Sequence, residues 1–164
     1  MSQQREYVLR PIQPGDNESV ARIIRQVMAE FGAVGEGYSI MDPEVDAMYE
    51  AYNNRRSNFF VVERKGEILG CGGIGPLAEG DKDTCELKKM YFLPELRGLG
   101  WGKRLANHCL DNARQLGYRR CYLETVGRMH RANQLYLHLG FQQLDKALGH
   151  TGHSSCETYY ALEL

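Results

Sequence analysis

No stretch of this 164-residue chain approaches the ~18 consecutive apolar residues that mark a membrane span. Met1 to Arg10 is polar and lacks the apolar core of a signal peptide, so the cytoplasm is the expected compartment. Runs of like charge are missing as well. Twenty basic and 21 acidic residues leave a formal charge of -1, which is not the electrostatic footprint of a nucleic-acid binder. The five cysteines (Cys71, Cys85, Cys109, Cys121, Cys156) contain no CxxC pair. Odd in number and scattered through apolar segments, they read as buried free thiols rather than a disulfide or zinc framework. There is no internal repeat, low-complexity tract or linker, so residues 1–164 read as a single α/β domain. At 43% hydrophobic and 25% charged residues, its composition is ordinary for a globular domain. A chain of this length builds a core without a metal or disulfide staple.

Tyr7 to Ile12 reads as a strand, followed by a Pro14-Gly15-Asp16 turn. A helix capped by Asn17 or Ser19 runs to about Phe31, with Val20, Ile23, Ile24, Val27, Met28 and Phe31 on one face. The glycines between Gly32 and Ser39 break that pattern. Asp42-Pro43-Glu44 reads as the start of a second helix, with Val45, Met48, Tyr49 and Tyr52 along one side. Asn58–Arg64, Ile68–Gly75 and Thr84–Leu93 read as three strands of an antiparallel meander. Then the character changes. A helix over Gly100–Leu116 ends at Gly117, a strand covers Arg119–Thr125, and a helix over Ala132–Leu139 ends at Gly140. Phe141–Leu144 and Glu157–Leu162 read as the last strands. A strand, loop, helix and strand in that order form a crossover unit inside a mixed sheet.

The loop Arg97-Gly98-Leu99-Gly100-Trp101-Gly102-Lys103 carries the chemistry most plainly. It follows a strand, places three glycines at alternate positions and opens a helix. A helix N-terminus offers unpaired amides and partial positive charge, and glycines let an anion approach the backbone closely. Arg97 and Lys103, with Arg104 beside them, add positive charge. The spacing G-x-G-x-G is not the dinucleotide G-x-G-x-x-G, and no G-K-[ST] of a P-loop occurs.

RGLGWG resembles the Q/R-x-x-G-x-G/A signature of the GNAT N-acetyltransferases, with Arg97, Gly100 and Gly102 at the defining positions. ELKKMYFLPELR looks like that family's fourth strand. Ala132-Asn133-Gln134-Leu135-Tyr136 with Gly140-Phe141 resembles its A-x-x-L-Y-x-x-x-G-F segment. The likeness covers essentially the whole chain, with specific motifs confined to about Glu86–Phe141. It implies a mixed, mostly antiparallel sheet flanked by helices, with central strands splayed apart. It also implies acetyl-CoA as cosubstrate, with its pyrophosphate at the amides of Gly98, Leu99, Gly100, Trp101, Gly102 and Lys103. The splayed fourth strand would offer Met90, Tyr91 and Phe92 to the pantetheine, with the Met90 and Phe92 amides as oxyanion donors.

Acetyl transfer to an amine needs a base for the amine, donors for the oxyanion and a proton for the departing thiolate. By the resemblance, Glu86 is the candidate base, and the alternative is a strand residue paired with Lys88. Glu124 is its rival. Tyr136 is the candidate acid at the CoA sulfur, or simply an aromatic beside Leu135 and Leu139 on its helix. Asn133 is a candidate for the pantetheine or pyrophosphate arm. The acceptor pocket is expected between Phe31 and Tyr52 and over Gly149–Cys156, including Glu36, Tyr38, Asp42, Glu44, Tyr49 and Tyr52. His150, His153 and Cys156 have the spacing H-x₂-H-x₂-C, too few ligands for a closed zinc site, so no metal is expected. That segment reads as a loop bordering the acceptor, with His150 or His153 orienting substrate, or as a plain solvated loop. The expected function is transfer of an acetyl group to the primary amine of a small molecule. Acetylation of a protein lysine or N-terminus, and non-catalytic CoA sensing, are the alternatives. No nucleic-acid or membrane partner is expected, and the sequence allows a monomer or a homodimer.

Overall fold

The computed structural model describes residues 6–164; residues 1–5, half of the polar N-terminal stretch, lie outside the described residues. Seven strands occur among the described residues: β1 (Tyr7–Pro11), β2 (Asn58–Arg64), β3 (Glu67–Pro76), β4 (Thr84–Phe92), β5 (Arg120–Thr125), β6 (Gln142–Leu144) and β7 (Thr158–Glu163). They form one sheet in the order β1-β2-β3-β4-β5-β7-β6. Every pairing is antiparallel except β4 with β5, which the crossover helix makes parallel.

Helix α1 (Asn17–Glu30) and the short α2 (Met48–Tyr52) cover one face. Helices α3 (Trp101–Gln115) and α4 (His130–His138) belong to the other. Alternation along β2 splits the core accordingly: Phe59 and Val61 join the α1 side, Phe60 and Val62 the α3 side. All five cysteines are buried free thiols.

Two local expectations need correction. Neither Asn17 nor Ser19 caps α1. The preceding residue, Asp16, sits at the cap position, but its carboxylate accepts the Gln13 amide and binds Arg10 at 2.8 Å. Asn17 Oδ1 instead accepts the Tyr49 amide at 2.8 Å. The second helix is broken in two. A 3₁₀ turn over Pro43–Asp46 is separated from α2 at Ala47, whose φ of -140° is not helical. Asp42 and Glu44, at the start of that turn, both reach Lys89 at 2.7 Å.

The sheet opens at its middle. The β4–β5 ladder covers only Thr84–Glu86 against Arg120–Tyr122, and beyond it the two strands run on without pairing. On its other side β4 carries a bulge against β3, where the register shifts between Cys71 and Gly73. Lys89 in this bulge has a positive φ of 52°, uncommon for a residue with a side chain. Its buried ammonium lies 2.7 Å from both Asp42 and Glu44, and those bonds hold the bulge.

Candidate functional site

A cleft of ≈ 450 Å³ runs from the glycine loop into the opening between β4 and β5. Met90, Tyr91 and Phe92 of β4 form one wall. Arg97, Gly98, Gly100, Trp101 and Gly102 form its head, and Ala132, Leu135 and Tyr136 of α4 its other side. Gly98 and Gly100 have φ of 77° and 83°, values that favour glycine, and no protein atom lies within 4 Å of where a Cβ would stand on either. That leaves the first amides of α3 uncovered by side chains, the arrangement that suits a phosphate.

The loop side chains behave differently from expectation. Arg97 is anchored rather than mobile: it pairs with Glu30 through both guanidinium nitrogens and donates to the Phe92 carbonyl at 2.9 Å. Arg104 stacks on Trp101 with its guanidinium 4.0 Å from the ring centroid. Leu99 and Lys103 are exposed and do not line the cleft. Asn133 is a correction of another kind. Its amide donates to the Val126 and Met129 carbonyls and accepts the Tyr160 hydroxyl at 2.7 Å. All of that bonding serves the start of α4, so Asn133 has no donor left for a ligand arm. Sequence reading missed Arg128, His130 and Arg131, which line the cleft just before and inside α4. Their clustering after a strand was the available signal. Arg128 also donates to the Phe31 and Gly32 carbonyls, tying the end of α1 across the cleft.

A second, smaller cavity lies deeper in the same opening. It is lined by Glu86 and Lys88 of β4, Glu124 of β5, and His153 and Cys156 of the loop before β7. Met90, Tyr91, Met129, Ala132 and Tyr136 line both cavities, so these five mark where the two meet. Loop 33–42 and loop 145–157 close over the small cavity. Ser155 donates its amide and its hydroxyl to the Gly37 and Glu36 carbonyls, each at 3.0 Å. Gly37 is required there, because a Cβ would collide with the Ser154 and Ser155 hydroxyls.

Glu86 is 3% exposed and accepts no hydrogen bond among the described residues; Lys88 Nζ is 3.9 Å away. Burial pushes its carboxyl up to about 7, against the pull of the Lys88 and His153 charges. Glu124 behaves oppositely. Burial raises it, but His153, Thr151 and Tyr122 all stabilise its ionised form and hold it below the usual carboxylate range. Tyr122 donates to it at 2.6 Å and the Thr151 hydroxyl donates to its other oxygen.

His153 is 8% exposed at its side chain, with Nε2 2.8 Å from Asp42 and Nδ1 3.5 Å from Glu124. Burial opposes its charge, yet bonds to Asp42 and Glu124 push it up to about 9. His150 is exposed and contributes only its backbone amide, to the Ala78 carbonyl. Of the residues expected around the acceptor, Asp42 and Glu44 reach this network through His153 and Lys89. Glu36 is exposed and Tyr52 is buried against Phe59. The Tyr136 hydroxyl makes no hydrogen bond among the described residues; its ring packs on Phe141 and Tyr160. Burial holds its pKa above the ordinary phenol value.

The arrangement is therefore an anion-suited cleft joined to a smaller cavity of mixed lining that contains one carboxyl able to exchange a proton near neutrality. Residues 24–141 match the acetyltransferase (GNAT) family. The chain is 47% identical, over 96% of its own length and 95% of the relative's, to the Escherichia coli (strain K12) protein named "Uncharacterized N-acetyltransferase YjgM". A Staphylococcus aureus Mu50 acetyltransferase of the GNAT family superimposes with a TM-score of 0.84 at 20% identity, covering 96% of this chain and 99% of that one. The structure of yncA from Salmonella typhimurium with its cofactor acetyl-CoA superimposes with a TM-score of 0.78 at 20% identity, covering 97% and 94%.

Proposed function

The chain belongs to the GNAT acetyltransferase family, and from that premise we propose that it moves the acetyl group of acetyl-CoA to the primary amine of a small molecule. The observation that carries this reading is the junction of the two cavities. The large cleft has room and phosphate-suited amides for CoA, and the small one holds Glu86 behind a closed roof. A short amine fits such a cavity. A protein acceptor would have to break the bonds from Ser155 to loop 33–42 before a lysine or N-terminus entered.

Each protein group then has a task. The amides from Gly98 to Lys103 hold the pyrophosphate at the head of α3. Met90 and Phe92, on the unpaired side of β4, offer amides to the thioester oxygen as it gains charge. Glu86, ionised, takes the proton from the attacking amine. The nitrogen forms its bond to the acetyl carbon, the carbon–sulfur bond breaks, and Tyr136 protonates the departing sulfur. Glu124 stays ionised and orients His153, which keeps Glu86 from rising further. The Glu86 carboxyl, poised near neutrality and free of hydrogen bonds, also favours turnover over passive CoA sensing.

The test is thiol release from acetyl-CoA against a panel of amino acids, polyamines and other small amines, with lysine peptides alongside. Release with at least one small amine and none with peptides is expected. Peptide turnover exceeding that of every small amine would overturn the choice of acceptor, and CoA binding without any release would leave a sensor.

A further inference from the structure

Glu86, Glu124 and His153 come from three separated parts of the chain, and each offers a ligand atom within 4.8 Å of the others. Two of them are braced as metal ligands usually are. Glu124 is fixed by the hydroxyls of Tyr122 and Thr151. His153 turns Nε2 to Asp42 at 2.8 Å, the carboxylate partner that sets ring and tautomer in metal-bound histidines. That leaves Nδ1, on a side chain 8% exposed, to the long ion pair with Glu124 at the cavity wall. Nδ1 stands 3.5 Å from Glu124 Oε1. The gap is long for a hydrogen bond, but close to the ~3.3 Å that separates two ligands of a tetrahedral zinc ion with ~2.0–2.1 Å bonds. Glu86 supplies the third donor, buried and without a hydrogen bond.

We propose that Glu86, Glu124 and His153 form a binding site for a divalent transition ion of the zinc class, which blocks the acceptor pocket while it is bound. One imidazole and two carboxylates suit zinc, whereas magnesium and calcium favour oxygen ligands alone. The neighbouring charges permit it. Lys89 is held by Asp42 and Glu44, and Lys88 by Glu44 at 3.4 Å, so an ion would face Glu124 and Glu86 and compete with Lys88 alone, 3.9 Å from Glu86. Glu86 already has a carboxylate oxygen within 4.8 Å of the ligand atoms of Glu124 and His153. A fourth position is left for water. The ion would sit where an amine approaches, so it competes with the amine and leaves acetyl-CoA binding intact. The site does not depend on which group takes the amine's proton.

Direct titration tests this. Chelator-stripped protein is titrated with Zn²⁺ in competition with a chromogenic chelator, and one ion per chain is expected. Asp42→Asn, which removes the charged outer partner of His153 and one of the two carboxylates on Lys89, should weaken binding by ~10–100-fold, and His153→Gln by more. His150→Gln, in the exposed part of the same loop, should bind as the parent does. Acetyl-CoA affinity and thermal melting show that each variant is folded. A second readout needs no variant: Co²⁺ bound to the parent should show visible d–d bands without a thiolate charge-transfer band. Failure to take up Zn²⁺, affinity that survives His153→Gln in a folded protein, or a thiolate band placing the ion on Cys156 would each overturn the site. Absence of acetyl transfer with every amine tested would sink the functional reading and leave the zinc titration interpretable.

Discussion

The large cleft proposed for CoA and the small cavity proposed for the acceptor are built in different ways, though five residues line both. The cleft is made largely of backbone. Its head is one contiguous loop whose glycines uncover the first amides of α3, and its walls are β4 and α4. The cavity is made of side chains. Asp42, Lys89, Glu124 and His153 come from separate segments and hold one another through ion pairs, with Glu86 on the strand of Lys89 beside them. A backbone site tolerates most side-chain changes and binds a constant ligand. A side-chain site changes character with one substitution, which suits the part of the enzyme that chooses the acceptor.

The largest separation of the two regions should come from Glu86→Gln. Loss of a general base costs ~10²–10⁴-fold in kcat/KM, and acetyl-CoA affinity measured by calorimetry should not move. Tyr136→Phe acts at the junction. Removing its hydroxyl should lower kcat by ~10–100-fold with little change in KM, the pattern of an interaction made mainly in the transition state. An equal loss of acetyl-CoA affinity would make Tyr136 a packing residue of the cleft instead. Gly100→Val reverses the pattern. A β-branched residue at φ 83° strains the loop, and its side chain projects into space that is open in the protein. Acetyl-CoA affinity should fall by ~10-fold or more, with the amine KM little changed. Glu30→Gln is the smallest. It frees Arg97 from an exposed pair, and surface pairs are weak, so acetyl-CoA affinity should shift by less than about fivefold in calorimetry.

The same contrast explains what the sequence made legible. Strands, helices α1, α3 and α4, the crossover and the glycine loop follow from local periodicity and turn chemistry, and all are present within a few residues. Helix α2 was overdrawn, because an apolar face at helical spacing does not reveal a kink at Ala47. Asn133 was misread for a similar reason. Its place in a motif does not show that Tyr160, 27 residues away, takes its carbonyl oxygen. Glu86 was singled out by the family resemblance of its strand, with Glu124 as rival. The resemblance also put Asp42, Glu44 and His153 around the acceptor, but not the ion pairs that join them, since Asp42 and His153 lie 111 residues apart. No periodicity couples residues at that separation; only the folded sheet does.

The central claim is that acetyl transfer depends on one nearly neutral carboxyl in the acceptor cavity, independent of the cleft that binds CoA. Its most direct test is the pH dependence of kcat/KM for the amine, at saturating acetyl-CoA, in chelator-stripped parent and Glu86→Gln. A base must be ionised, so the rate of the parent should rise as pH passes upward through about 7, the value that burial gives Glu86. In Glu86→Gln that limb should vanish while acetyl-CoA affinity stays at the parent value. An unchanged limb near neutrality in a folded Glu86→Gln protein would contradict the account.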